Sequence, residues 1–273
     1  MAEIHPTAMV DADARLADGV VVGPYCVVES DVALGEGTEL RPHVVIRRHT
    51  TLGEGNLVDS FCVLGGLPQD LKFDPAAVSH LRIGDGNVFR EAVTISRATT
   101  PGGATTVGNK TYWMTQSHAG HDATIGDGAI ITNNASIAGH VVIGPRAILS
   151  ANVLVHQFTW VGEMVMTRGH SAAGMHVPPY MLLAKVNYLA GLNAVGLRRA
   201  PDISQEDRKQ IKEAFRITYR AGLNAQQALE KLDEWADMGV AAAKFREFIR
   251  KVVTAEPPYD RGLCGYRPER KRD

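Results

Sequence analysis

Stepping through the chain six residues at a time from Ile4 meets Ile4, Val10, Leu16, Val22, Val28, Leu34, Leu40, Ile46, Leu52, Val58 and Leu64, every one a branched aliphatic. With such residues at about a quarter of positions, eleven in phase arise by chance on the order of once in a million. Four residues after each stands a mostly small side chain, as at Ala8, Ala14, Cys26, Val32, Thr38, Val44 and Cys62. The count resumes at Ile83, Phe89 and Ile95, then runs from Val107 to Val161. A period of six is neither the 3.6 of a helix nor simple alternation. It fits a short strand and a tight turn, three of which close a coil of 18 residues. Stacked coils make a parallel β-solenoid in which aliphatic ladders fill the inside and each repeat packs on its neighbours. Gly, Asp and Asn suit the corners.

Two segments interrupt the count. Residues 65–82 shift its phase by one, and residues 98–106 keep phase but lack aliphatic residues. Both read as external loops at corners of the coil, where binding faces commonly form. The repeat ends near Pro178-Pro179, and helices follow Pro201. Ser204-Gln205-Glu206-Asp207 reads as a capping box before a helix with Ile211, Ala214, Phe215 and Thr218 on one face. Asn224 can cap a second helix, and Phe245, Phe248, Ile249 and Val252 mark a third. The expected division is a β-helix over 1–185 with its two loops, then a connector and a helical domain over 186–273. The basic tail from Arg261 to Asp273 is expected to be mobile.

Composition narrows the class. The chain of 273 residues has a formal net charge of −1, which argues against a nucleic-acid binder. It is 45% hydrophobic but only 6% aromatic, as ladders of Val, Ile and Leu require. No run approaches the roughly 18 apolar residues of a membrane span. Three cysteines (Cys26, Cys62 and Cys264) without a CxxC spacing fit a reducing compartment, and no signal peptide is visible after Met1. The expectation is a cytoplasmic, soluble protein.

Six of the ten histidines fall between His118 and His176. An 18-residue coil converts sequence distance into stacking: His121 lies under Gly139, Asp122 under His140, and Gly139 and Ala138 under Gln157 and His156. His121, Asp122, Gly139, His140, His156 and Gln157 therefore form one column, with coils about 4.8 Å apart. Such a column suits acyl transfer to a hydroxyl. A neutral imidazole is a general base near pH 7, and a carboxylate at its other nitrogen fixes its tautomer. His121 and Asp122 supply these roles. Gly139 lets a thioester carbonyl approach its backbone N–H, which can stabilise the oxyanion.

The repeat, Gln69-Asp70-Leu71-Lys72, Ser117-His118-Ala119-Gly120-His121-Asp122, Asn133-Asn134-Ala135, Val155-His156-Gln157-Phe158, Val177-Pro178-Pro179-Tyr180 and Gly196-Leu197-Arg198-Arg199 occur in order along nearly the whole chain. Together they resemble the acyl-carrier-protein-dependent UDP-N-acetylglucosamine O-acyltransferases of lipid A biosynthesis. The resemblance implies a mainly β fold, a left-handed parallel β-helix, in a homotrimer with active sites between subunits. It implies transfer of a 3-hydroxyacyl group from acyl carrier protein, whose phosphopantetheine delivers it, to the sugar 3-hydroxyl, with no other cofactor and no metal. His121 is then the general base, Asp122 its orienting partner and Gly139 the oxyanion donor. Asp70, Lys72, His118, His140, His156, Gln157, Asn193 and Arg199 are expected to contact sugar, acyl chain, nucleotide or pantetheine phosphate. The chain departs from the family pattern at Ser96, Val195 and Ala200, in Leu183–Asn187, and at Thr167–His170, which includes Arg168.

Three alternatives follow. Ser96, Val195 and Ala200 are compatible with a related acyltransferase acting on another UDP-sugar or an amino sugar. A zinc lyase needs three ligands, and no such set is evident in one chain from spacing alone. A non-catalytic scaffold leaves the polar column unexplained.

Overall fold

The computed structural model describes residues 1–268; residues 269–273, the end of the expected tail, lie outside the described part. Strands mostly two residues long recur at the spacing of the repeat: Glu3–Ile4, Met9–Val10 and Arg15–Leu16 form the first coil. Glu3 pairs with Val21 and Ile4 with Val22, parallel and one 18-residue coil apart. The coils build three sheets of twelve, nine and eight strands, the left-handed parallel β-helix. In nearly every strand the second residue points inward, so Val22, Val28, Leu34, Leu40 and Ile46 are buried while their predecessors are not. Each such side chain contributes about 1.5–3 kcal/mol on burial.

The two interruptions are read directly in the register. Leu57 pairs with Val88, 31 positions on instead of 18, so the first excursion inserts thirteen residues, two repeats plus one, and shifts the phase. Val88 pairs with Tyr112, 24 positions on, so the second inserts six and keeps it. The excursions are shorter than sequence placed them. Strands Val63–Gly66 and His80–Ile83 bound the first, and Ala104–Val107 takes the last third of the other, with Thr105 buried at the small inward position that Thr50 and Ala123 take in other coils. A Thr fits because its hydroxyl has a buried task, accepting a hydrogen bond from the Asp122 N–H at 2.8 Å.

Polar residues at inward small positions are matched to one another. Asn87 donates to Asn56 at 2.9 Å, Thr111 to Asn87 at 2.6 Å and the Trp113 indole to Thr111 at 2.9 Å. This satisfies groups that would otherwise cost about 1–3 kcal/mol each. Cys26, Cys62 and Cys264 are buried free thiols, and burial pushes Cys62 and Cys264 up to about 12.

Past the last coil, Met181–Lys185 and Tyr188–Leu192 extend the largest sheet as an antiparallel pair. Four helices follow: α1 (Ala194–Arg199), α2 (Gln205–Arg220), α3 (Ala225–Asp233) and α4 (Val240–Val253). The capping box at Ser204 forms with Asp207, and Asn224 forms another with Gln227. Helix α1 was not foreseen; six residues carry too little periodicity to announce a helix. No helix among the described residues is long and apolar enough to cross a membrane.

The expectation of a mobile tail from Arg261 is corrected over its described part. Gly265–Tyr266 pairs with Tyr188 and Leu189, and Cys264 N–H donates to His176 O at 2.8 Å. Arg261 Nε donates to Gly174 O at 2.7 Å. These contacts tie down residues 261–267, which their basic composition does not reveal.

Candidate active site

One corner of the β-helix carries the histidine column. Asp122, His140 and Phe158 occupy equivalent positions in successive coils, with φ of 58°, 59° and 60°. Asp and His enter this left-handed region more readily than most residues. The coils are locked by His140 N–H donating to His121 O at 2.9 Å.

His121 is buried, and its Nδ1 meets Asp122 Oδ2 at 2.8 Å. The same oxygen accepts from Thr99 Oγ1 at 2.7 Å and Thr99 N–H at 3.0 Å. Burial pushes the Asp122 carboxyl up, but the hydrogen bonds from His121 and Thr99 outweigh it and hold the group at about 2. An ionised acceptor at Nδ1 fixes the neutral imidazole proton there. Nε2 is then left as the proton acceptor.

Gly139 lies one coil on. A Cβ there would stand 2.5 Å from His121 Cε1 and 2.7 Å from Nε2, so the ring occupies the space a side chain would need. Its N–H has no acceptor among the described residues. This place in the turn is one whose N–H the ladder does not use, since Pro24, Pro42 and Pro145 occupy it in other turns, each before a left-handed residue.

A cavity of about 700 Å³ opens beside this column, lined by Gln69, His118, His121, Gly139, His156, Gln157 and by Ser136, Leu154, Ala172, Ala173, Gly174, Val186, Asn187 and Arg261. His118 shares a 2.8 Å hydrogen bond with Thr94, and burial pushes its pKa down. His140 stands 3.6 Å from Asp122 Oδ2 and stacks on Phe158 at 4.7 Å, and burial pushes its pKa down too. His156 bonds the Gln157 carbonyl at 3.2 Å.

The other expected contacts divide. Asp70 and Lys72 sit on the first excursion, where Lys72 N–H donates to Asp70 Oδ1 at 2.8 Å; of this stretch only Gln69 reaches the cavity lining. Asn193 and Arg199 do not line their own chain's cavity. Asn193 caps α1, accepting from Gly196 N–H at 3.0 Å, and Arg199 stands in the last turn of that helix.

Several site residues escaped sequence reasoning. Ser136, Leu154 and Ala172 are the outward neighbours of the inward Ile137, Val155 and Ala173, so the 18-residue spacing from His118 was a sufficient signal for that wall. Thr99 had none, because the length of an excursion does not say where its residues return. Nor did Tyr259, whose ring meets Phe158 edge-on at 5.3 Å and so backs the one behind His140. The fold also makes what spacing did not show: ligand atoms of His121, Asp122 and His140 all lie within 4.8 Å of one another.

Comparison with known proteins gives the family. A family model described as Udp N-acetylglucosamine O-acyltransferase, domain 2, matches residues 176–264, and one for the bacterial transferase hexapeptide matches residues 13–48. The acyl-[acyl-carrier-protein]–UDP-N-acetylglucosamine O-acyltransferase of Ectopseudomonas mendocina is 45% identical over 92% of this chain and 97% of its own. The chain belongs to this family. The family member of that name from Anaeromyxobacter dehalogenans is also 45% identical, over 84% of this chain and 90% of its own. The solved UDP-N-acetylglucosamine acyltransferase of Francisella novicida superposes with a TM-score of 0.90 at 35% identity, covering 97% of this chain and 94% of that one. The corresponding structure from Moraxella catarrhalis gives 0.89 at 35% identity, covering 96% and 99%.

Proposed function

We propose that the protein transfers a 3-hydroxyacyl group from acyl carrier protein to the 3-hydroxyl of UDP-N-acetylglucosamine, the first step of lipid A biosynthesis. The observation that carries this reading is the Thr99–Asp122–His121 chain of hydrogen bonds ending beside the unengaged N–H of Gly139. His121 Nε2 takes the proton of the sugar hydroxyl as its oxygen bonds to the thioester carbon. The carbonyl electrons move onto oxygen, where the Gly139 N–H meets the charge. Collapse breaks the carbon–sulfur bond, and the pantetheine sulfur leaves with the proton returned by His121. Asp122 stabilises the imidazolium between these steps. No further cofactor enters the scheme.

His118, His140, His156 and Gln157, around or beside the cavity, serve the sugar nucleotide and the pantetheine arm, and Asp70 and Lys72 close over it from the excursion. Asn193 and Arg199 act on a neighbouring subunit's cavity in a homotrimer; their distance from their own chain's cavity supports that division. The reaction runs in the cytoplasm, where acyl carrier protein is the donor. Val195, half exposed on α1, favours testing other UDP-sugars as acceptors.

Incubation with acyl carrier proteins of several chain lengths and a panel of UDP-sugars, read by mass spectrometry, tests the proposal. Acylated UDP-N-acetylglucosamine is expected, and H121A is expected to lose about 100-fold to 10,000-fold in kcat while remaining folded. Undiminished activity in H121A overturns the assignment.

A further inference from the structure

We propose that His121, Asp122 and His140 also form a binding site for a borderline-soft divalent cation, Zn2+ being the type ligand, whose occupancy switches acyl transfer off. The site rests on its own geometry; the switch rests on the reading of His121 as the base. Two imidazoles and a carboxylate are a donor set suited to zinc, whose tetrahedral shell takes one further ligand. With bonds of the usual length, neighbouring ligand atoms around tetrahedral zinc stand about 3.4 Å apart. Here Asp122 Oδ2 is 2.8 Å from His121 Nδ1 and 3.6 Å from His140 Nε2. One contact opens and the other closes by about half an ångström to admit the ion, and the two imidazole nitrogens, which lie within 4.8 Å of each other, draw together as both rings turn toward it. The supporting contacts of a metal site are in place as well. Thr99 holds the carboxylate, and the Phe158 ring fixes the plane of His140. His121 and Asp122 side chains are 11% and 13% exposed, whereas His140 at 27% leaves an entry.

The chemical consequence follows from the tautomer. In the free enzyme the ring proton of His121 sits on Nδ1 and the lone pair on Nε2. Zinc takes the Nδ1 lone pair, so the single proton of the neutral ring moves to Nε2. No proton is gained or lost, and no electron is transferred. Nε2, now an N–H, cannot accept the proton of the sugar hydroxyl. Mg2+, which prefers octahedral oxygen ligands, is not expected to bind.

Equilibrium dialysis of the metal-stripped full-length protein against Zn2+ and, separately, Mg2+ tests the site. One tightly held zinc per chain is expected, with affinity lowered at least tenfold in H140N and in D122N, and no stoichiometric magnesium. Both variants are checked for native circular dichroism, and either folded one suffices. Absence of stoichiometric zinc, or unchanged affinity in a folded variant, overturns the site. Acyl transfer by the wild type is expected to fall in proportion to zinc occupancy and to return with a chelator. Full activity at full occupancy overturns the switch. A metal-free enzyme without activity counts against the acyltransferase reading and leaves the dialysis result standing.

Discussion

At Gly139 the demand for glycine comes from a neighbouring ring. The strain of a left-handed turn belongs to His140, while a methyl at Gly139 would collide with His121 Cε1 at 2.5 Å. G139A is therefore expected to displace the base and lower kcat at least about 100-fold, as small misplacements of reacting groups do, with the β-helix intact by circular dichroism. Thr99 acts one bond further out. T99V removes one of its two hydrogen bonds to the carboxylate and keeps the backbone one. A bond to a charged group contributes about 1.5–3 kcal/mol, so a fall of roughly tenfold or more in kcat is expected, with KM little changed. His121 and Asp122 were legible from sequence because a strict repeat fixes which corner they share. Thr99 was not, because its approach depends on the path of an irregular segment.

The two excursions show what a strand repeat permits at its corners. The first carries Asp70 and Lys72 and is pinned by Arg97, which is 2% exposed. Arg97 Nη2 donates to Ala77 O at 3.3 Å, and its guanidinium lies over Phe73 at 5.6 Å. Its Nε and Nη1 have no partner, and no carboxylate pairs with it among the described residues. Burial accordingly pushes its pKa down. A buried charge without a counter-ion is a poor source of stability, so its contribution here is to hold the segment. R97M is expected to leave Tm unchanged or slightly raised while raising KM for the sugar nucleotide; kinetics beside calorimetry checks both. Sequence showed the insertion and its phase shift, since each strand keeps its inward residue. It did not show the anchor, because a lone arginine in a polar stretch looks like any solvated one.

Over the whole molecule, the segment from Tyr259 to Cys264 closes onto the last coil through His176. The Trp160 N–H donates to its Nδ1 at 3.0 Å, and its Nε2 faces the Tyr259 carbonyl at 2.7 Å, so the ring is held neutral with its proton on Nε2. Burial pushes its pKa below 6.5, and burial does the same to His49. As pH falls through about 6.5 the unfolded chain takes up protons that the folded one refuses, so stability rises with pH there and is lost on the acid side. Calorimetry from pH 7.5 to 5 is expected to show a falling Tm, and H176Q is expected to start lower and fall less steeply. The proposed trimer has its own test. Mixing inactive H121A with inactive R199A under conditions that exchange subunits is expected to restore activity, since some cavities then receive both native residues. No recovery after verified exchange would place Arg199 in its own chain's site.

A six-residue repeat ties every position to a face and a height, so the β-helix, the presence and phase of its two excursions, and the column that sets Gly139 over His121 and Asp122 were legible in the sequence. The C-terminal helices α2 to α4 were equally readable from their caps and apolar faces. The fold alone brought Thr99 to the Asp122 carboxylate, set Tyr259 behind the ring that backs His140, and paired Gly265–Tyr266 with Tyr188 and Leu189. Those contacts join segments with no fixed spacing. Their partners are set by side-chain packing and backbone hydrogen bonding in three dimensions, which a one-dimensional period does not encode.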